Sequence, residues 1–162
     1  MTREDAFYYK ILLMSGFSAG YDQWLDRHLE AEDPLSDVVL ALACCGSDVN
    51  KTIAVLHNYC GSLPVDEAAL CNRLRLFLKE AYDSNRMSKA EIAAAMYRFA
   101  NQVGDPGDFD MAIWGSMYYM EYYWDLAEDT ILSWEIFDQA FFSYLNHGTT
   151  VDPTDIWNRR GN

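Results

Sequence analysis

Residues that start and stop helices punctuate this chain from end to end, and that punctuation limits the fold more tightly than any other feature of the sequence. Thr2, followed by Glu4 and Asp5, predicts a capped helix that stops at Gly16. A hydroxyl there can accept from an orphan backbone N–H, and first-turn acids complement the positive end of the helix dipole. A second helix follows, with Tyr21, Trp24, Leu25 and His28 at helical spacing. Asp33 as cap and Pro34 at the first helical position predict a third, closing at Gly46. The same logic runs from Ser47 to Gly61, and a longer helix runs from about Val65 to Ser84.

Ser88 and Glu91 form a capping-box pattern, which opens a helix reaching about Val103. The sequence GDPGDFD (104–110) is the clearest loop, and an aromatic-rich helix begins after it. A break near Asp129–Leu132 precedes a last helix, capped by Ser133 and running to Asn146. The tail from 148 to 162 has turn composition, with Trp157 as a candidate apolar anchor. No stretch alternates apolar and polar residues as a strand would. The expected fold is therefore all-α, with about eight helices. No linker composition divides the chain, so a single compact domain over 1–162 is expected, long enough to bury a core without disulfides or metal. Residues 88–106 and 133–153 share an order of Ser, Glu-Ile, aromatic helix, Asn, Gly and Asp-Pro, which convergent cap-and-stop chemistry explains without a duplication.

The formal charge is −13, and its placement is uneven. Residues 73–98 carry Arg73, Arg75, Lys79, Arg86, Lys89 and Arg98, whereas residues 99–158 hold 11 acids and no Lys or Arg. Such a field repels nucleic acid and anionic membrane and attracts basic proteins. Arg73, Arg75 and Lys79 do not share one narrow helical face, so the basic stretch is expected to pair with neighbouring acidic helices or to form a dipolar surface within the fold. Neither a secretion signal nor a membrane span is legible: the N-terminus is acidic, and the longest apolar run, VVLALACC (38–45), is too short to cross a bilayer. The four cysteines make no disulfide framework and read as reduced thiols, so a cytoplasmic location is expected.

Candidate chemistry is thin. EDTILSWEIF (128–137) looks like the second half of a calcium loop, but counting back puts Trp124, Leu126 and Asp129 where the loop needs two oxygen donors and a glycine. Ser133 as a helix cap explains the same residues. Asp105, Asp108 and Asp110 lie close together, yet Asp105 before Pro106 reads as a turn and Asp108 as the cap of the next helix, rather than as a metal site. His57 and Cys60 share a face, but the thiols sit in apolar helical runs and match no zinc pattern. No phosphate-binding loop, nucleophile elbow or metalloprotease motif is present, so no catalytic residue, metal or cofactor is expected.

The aromatic segment carries the functional expectation. Residues 109–144 contain 12 of the 24 aromatics. Placed on one continuous helix, 110–128 divides into a core face (Ile113, Met120, Tyr123, Trp124, Ala127) and a second face holding Asp110, Trp114, Met117, Tyr118, Glu121, Asp125 and Glu128. The acids mark that second face as solvent-accessible, since unpaired carboxylates are costly to bury. Aromatics beside them suit a contact surface. The next helix adds Glu135, Asp138 and Phe142. Acids at i and i+4 stand about 6 Å apart along a helix, a row that Lys and Arg built to grip phosphates would accept.

These features lead us to expect a small acidic inhibitor of a basic protein partner, through the ten residues Asp110, Trp114, Met117, Tyr118, Glu121, Asp125, Glu128, Glu135, Asp138 and Phe142. Two settings suit it equally: immunity against a nuclease-like toxin, or nucleic-acid mimicry against a defence effector such as a restriction or CRISPR system. Direct binding to nucleic acid or membrane is not expected. The alternative is a helical scaffold or regulatory subunit, homodimeric through the aromatic patch. An enzyme using the Asp105/Asp108/Asp110 cluster is the third reading and the least supported.

Overall fold

The computed structural model describes residues 1–61, 64–104 and 110–151. Among them the chain forms eight α-helices and no strand: α1 (Arg3–Met14), α2 (Tyr21–Ala31), α3 (Asp37–Ala43), α4 (Val49–Cys60), α5 (Glu67–Asp83), α6 (Lys89–Val103), α7 (Met111–Glu128) and α8 (Trp134–His147). The helices group into two units, Met1–Asp66 and Glu67–Asn162.

Most caps fall where the sequence places them. The Thr2 hydroxyl accepts from Asp5 N–H, and the Ser133 hydroxyl from Ile136 N–H. Ser88 and Glu91 complete the reciprocal capping box. α7 differs: its cap is Asp110, which accepts from Ala112 N–H at 2.8 Å, rather than Asp108. Two further starts differ. α3 begins at Asp37 rather than Pro34, and the Asp33–Pro34 bond is cis. The Glu32 carboxylate accepts from both the backbone N–H and the hydroxyl of Ser36, at 3.1 and 2.6 Å. That closes residues 32–36 into a turn, and winding starts after it. α4 is capped by Asp48, which accepts from Lys51 N–H, rather than by Ser47.

In the first unit α1 packs against α4, and α3 against α2 and α4. Ile11, Leu12, Val39, Leu42 and Leu56 form its apolar interior. Tyr9 and Tyr21 flank Trp24, with ring centroids 4.6 and 5.7 Å from the indole, so aromatic packing adds to area burial there. Cys60 is buried while His57 is exposed, so the two do not converge.

In the second unit the α6–α7 pair is the most extensive contact. α6 is rich in alanine, and the buried stretch of α7 includes Gly115 and Ser116; small side chains let helix surfaces approach closely. α5 meets α6, α7 and α8, and α7 meets α8. Phe99, Trp114, Tyr123, Phe137 and Phe141 are the largest fully buried side chains. The hydroxyl of buried Ser116 accepts from Val151 N–H at 2.9 Å, which fastens the chain beyond α8 onto α7.

Candidate partner-binding surface

α7 changes character along its length. From Trp114 to Met117 every residue is buried, so the helix has no outward face there. Between Asp110 and Glu121 the sequence carries no charge to mark one, and a helix that is apolar all round is a buried helix. From Glu121 onward the pattern is amphipathic. Tyr123, Leu126 and Ala127 are buried, while Tyr122, Asp125 and Glu128 are exposed.

This corrects the outward face expected from a single helical phase. Trp114 and Met117 are both 0% exposed and belong to the core. The Trp114 indole N–H donates to the Glu67 carboxylate of α5 at 2.8 Å, which satisfies its polar edge inside the unit. Asp110, the acid that extended the face to the start of the helix, is exposed because it is the N-cap. The placement of Met120, Tyr123 and Ala127 in the core agrees with the structure; Ile113 and Trp124 are half-buried.

Asp138 and Phe142 on α8 are likewise engaged within the unit. Lys89 reaches from α6 to Asp138 at 2.7 Å and lies 5.2 Å from the Phe142 ring centroid. Both residues are half-buried, and neither presents the open acid–aromatic pair expected of them. Other bases pair locally: Lys79 with Asp83, and Arg86 with Glu80. These pairs lie within or beside α5 rather than between it and a neighbouring acidic helix.

What remains exposed is an acidic arc with aromatics on both sides. On a helix turning about 100° per residue, Trp124 and Tyr122 lie about 160° apart around α7, and Glu128, Glu121, Asp125 and Tyr118 fall between them. Glu128, Asp125 and Tyr122 are exposed; Trp124, Glu121 and Tyr118 are half-buried. The α7–α8 turn extends this arc. Trp134 stacks edge-on against Trp124 at 4.8 Å yet remains 44% exposed. Ile131 and Tyr122 are each 45% exposed, and Asp129 and Glu135 are exposed beside the turn.

Tyr122, Asp129, Ile131 and Trp134 were therefore missed by the helical-phase reading. A signal existed for Trp134. It directly follows the Ser133 cap, and a first-turn side chain at an open helix end has fewer neighbours to cover it. Ile131 lies in the break that the sequence did reveal.

Among the described residues, no group of three or more His, Cys, Asp or Glu is gathered as metal ligands would be. Asp105 and Asp108 lie outside the described residues, so the reading of Asp105/Asp108/Asp110 as a cluster does too; the same holds for Trp157. No described helix is long and apolar enough to cross a membrane. No known protein family, curated protein or solved structure matches the chain.

Proposed function

We propose that this chain is a small acidic binding protein that captures a basic protein through the acidic arc of α7 and the α7–α8 turn. The observation that carries this reading is the exposure of Tyr122, Ile131 and Trp134 beside Asp125, Glu128, Asp129 and Glu135. The stretch 99–158 itself contains no Lys or Arg. Acids steer a cationic partner and set specificity, while aromatics at the margins supply contact area that salt does not screen. Residues spaced along one helix face match the cationic groups of a protein that grips phosphates. The partner class is thus a nuclease-like toxin or a nucleic-acid-acting defence effector, and the role is inhibitory.

The exposed Ile131–Trp134 corner also favours a second reading, a homodimeric scaffold joined through that corner. Affinity capture at low and at high salt, with mass-spectrometric identification, separates them. The inhibitor reading expects a basic partner whose capture collapses at high salt. It also expects Asp125→Lys with Glu128→Lys to abolish capture, and Trp134→Ala to weaken it by about thirtyfold, a typical hot-spot loss of about 2 kcal/mol. Salt-insensitive self-association that Trp134→Ala abolishes, with no basic partner recovered, refutes the inhibitor reading and supports the scaffold.

A further inference from the structure

The N-terminal halves of α5 and α7 and the C-terminal end of α8 line an open pocket of about 190 Å³ in the second unit. Its polar wall is built by Arg75, Asn72, Tyr144 and Cys71. Arg75 is only 8% exposed. Its guanidinium donates to the Leu145 carbonyl, and through Nε and Nη2 to the Asn72 side-chain oxygen at 3.3 and 2.7 Å. A guanidinium carries five N–H donors, so these three bonds leave two that can still donate. Among the described residues all of its partners are neutral. Among the described residues no carboxylate pairs with Arg75. Glu67, about two turns earlier on α5, is held instead by the Trp114 indole.

A buried cation with only neutral acceptors is an expensive arrangement, and an anion in the adjoining pocket would offset it. The neighbouring groups do not compete for that role. Burial pushes the Cys71 thiol up and the Tyr144 phenol well above its usual range, so both stay neutral at ordinary pH. The Tyr144 hydroxyl meets Cys71 Sγ at 3.5 Å, a long contact that it can exchange for a ligand oxygen.

We propose that this pocket binds a small monocarboxylate, its carboxylate on the Arg75 guanidinium and the Tyr144 hydroxyl, its short aliphatic chain against Ala112 and Ile113. A planar fork of N–H donors matches a carboxylate, and Ala68, Ala112 and Ile113 give the pocket an apolar side that suits an aliphatic chain better than a third phosphate oxygen. Pockets for drug-sized ligands run from about 300 to 1,000 Å³, so this one admits a chain of only a few carbons. The site is separate from the acidic arc and does not rest on the partner reading.

The test is a titration of the full chain with butyrate at constant ionic strength, followed by the Arg75 Nε–H resonance, with acetate and inorganic phosphate in parallel. The expected result is a saturable shift with butyrate, weaker with acetate and weakest with phosphate. Ala112 is exposed at the pocket, so Ala112→Phe narrows it without touching Arg75; it should weaken butyrate binding by at least about tenfold with the helical spectrum intact. An Arg75 resonance that does not move, a tighter response to phosphate than to butyrate, or Ala112→Phe binding like the parent overturns the proposal.

Discussion

Replacing Trp114 by alanine separates core placement from surface placement of this residue. The side chain is fully buried, and Trp→Ala in a core costs about 3–5 kcal/mol from lost transfer energy and the cavity left behind. The substitution also removes the indole donor to Glu67. Glu67 is half-buried and water can replace part of that bond, so about 0.5–1 kcal/mol is added. The sum, about 4–6 kcal/mol, is comparable to the whole stability of many domains. With a urea slope of about 2 kcal/mol per molar, the unfolding midpoint should fall by about 2–3 M. Far-ultraviolet circular dichroism reads this without relying on the deleted fluorophore. Tyr122→Ala is the matched control: that ring is 45% exposed, and the change should stay within about 0.5 kcal/mol. Equal and small shifts for the two variants would mean that Trp114 lies at the surface after all. A double-mutant cycle of Trp114→Phe with Glu67→Ala should give a coupling of about 1 kcal/mol if the indole–carboxylate bond forms as described.

Acid should act on the first unit through Glu32. Hydrogen bonds from the Ser36 hydroxyl and then its backbone N–H hold this carboxyl down at about 2, from an ordinary value of 4.5. A depressed carboxyl stabilises the fold fully above about pH 4.5, and that contribution disappears as pH falls through about 2. A carbon-detected titration should place the Glu32 midpoint near 2, and Ser36→Ala should move it upward; an unchanged midpoint in the variant contradicts the assigned cause. Thiol chemistry should sort by burial: Cys44 is exposed and should react with a thiol reagent in the native state, while Cys60 and Cys71 should react only on unfolding. Mass-spectrometric mapping of labelled peptides checks the order. Ser88→Ala breaks the capping box of α6 and should lower stability by about 1 kcal/mol in a urea melt, with Ser88→Gly closer to the parent.

The helices and most of their ends were legible because caps are local chemistry. Thr2, Ser88 and Ser133 each satisfy donors within three residues, so no knowledge of tertiary contacts is needed to find them. The starts of α3, α4 and α7 were harder, since in each more than one side chain could serve as the cap; Ser36 precedes α3 with its hydroxyl donated back to Glu32, and Asp48 and Asp110 cap α4 and α7. The site was read less well than the fold. Helical phase tells which residues share a face, but not how many neighbours surround that face. α5, α6 and α8 all pack on α7, and that crowding buries Trp114 and Met117 although acids share their phase further along. Asp138 was hidden for a similar reason, because its partner Lys89 lies 49 residues away in sequence.

The change of surroundings along α7 gives one stretch of 18 residues two separable vocabularies. Letters in WGSM are fixed by the fold, and almost any substitution there is read first as a loss of stability. At Glu121, Tyr122, Asp125 and Glu128 the same helix can be rewritten with little effect on what it packs against. Charge and shape presented to the outside can therefore diversify rapidly on a scaffold that stays the same, and variation in a contest with another molecule would be concentrated in the last two turns of this helix.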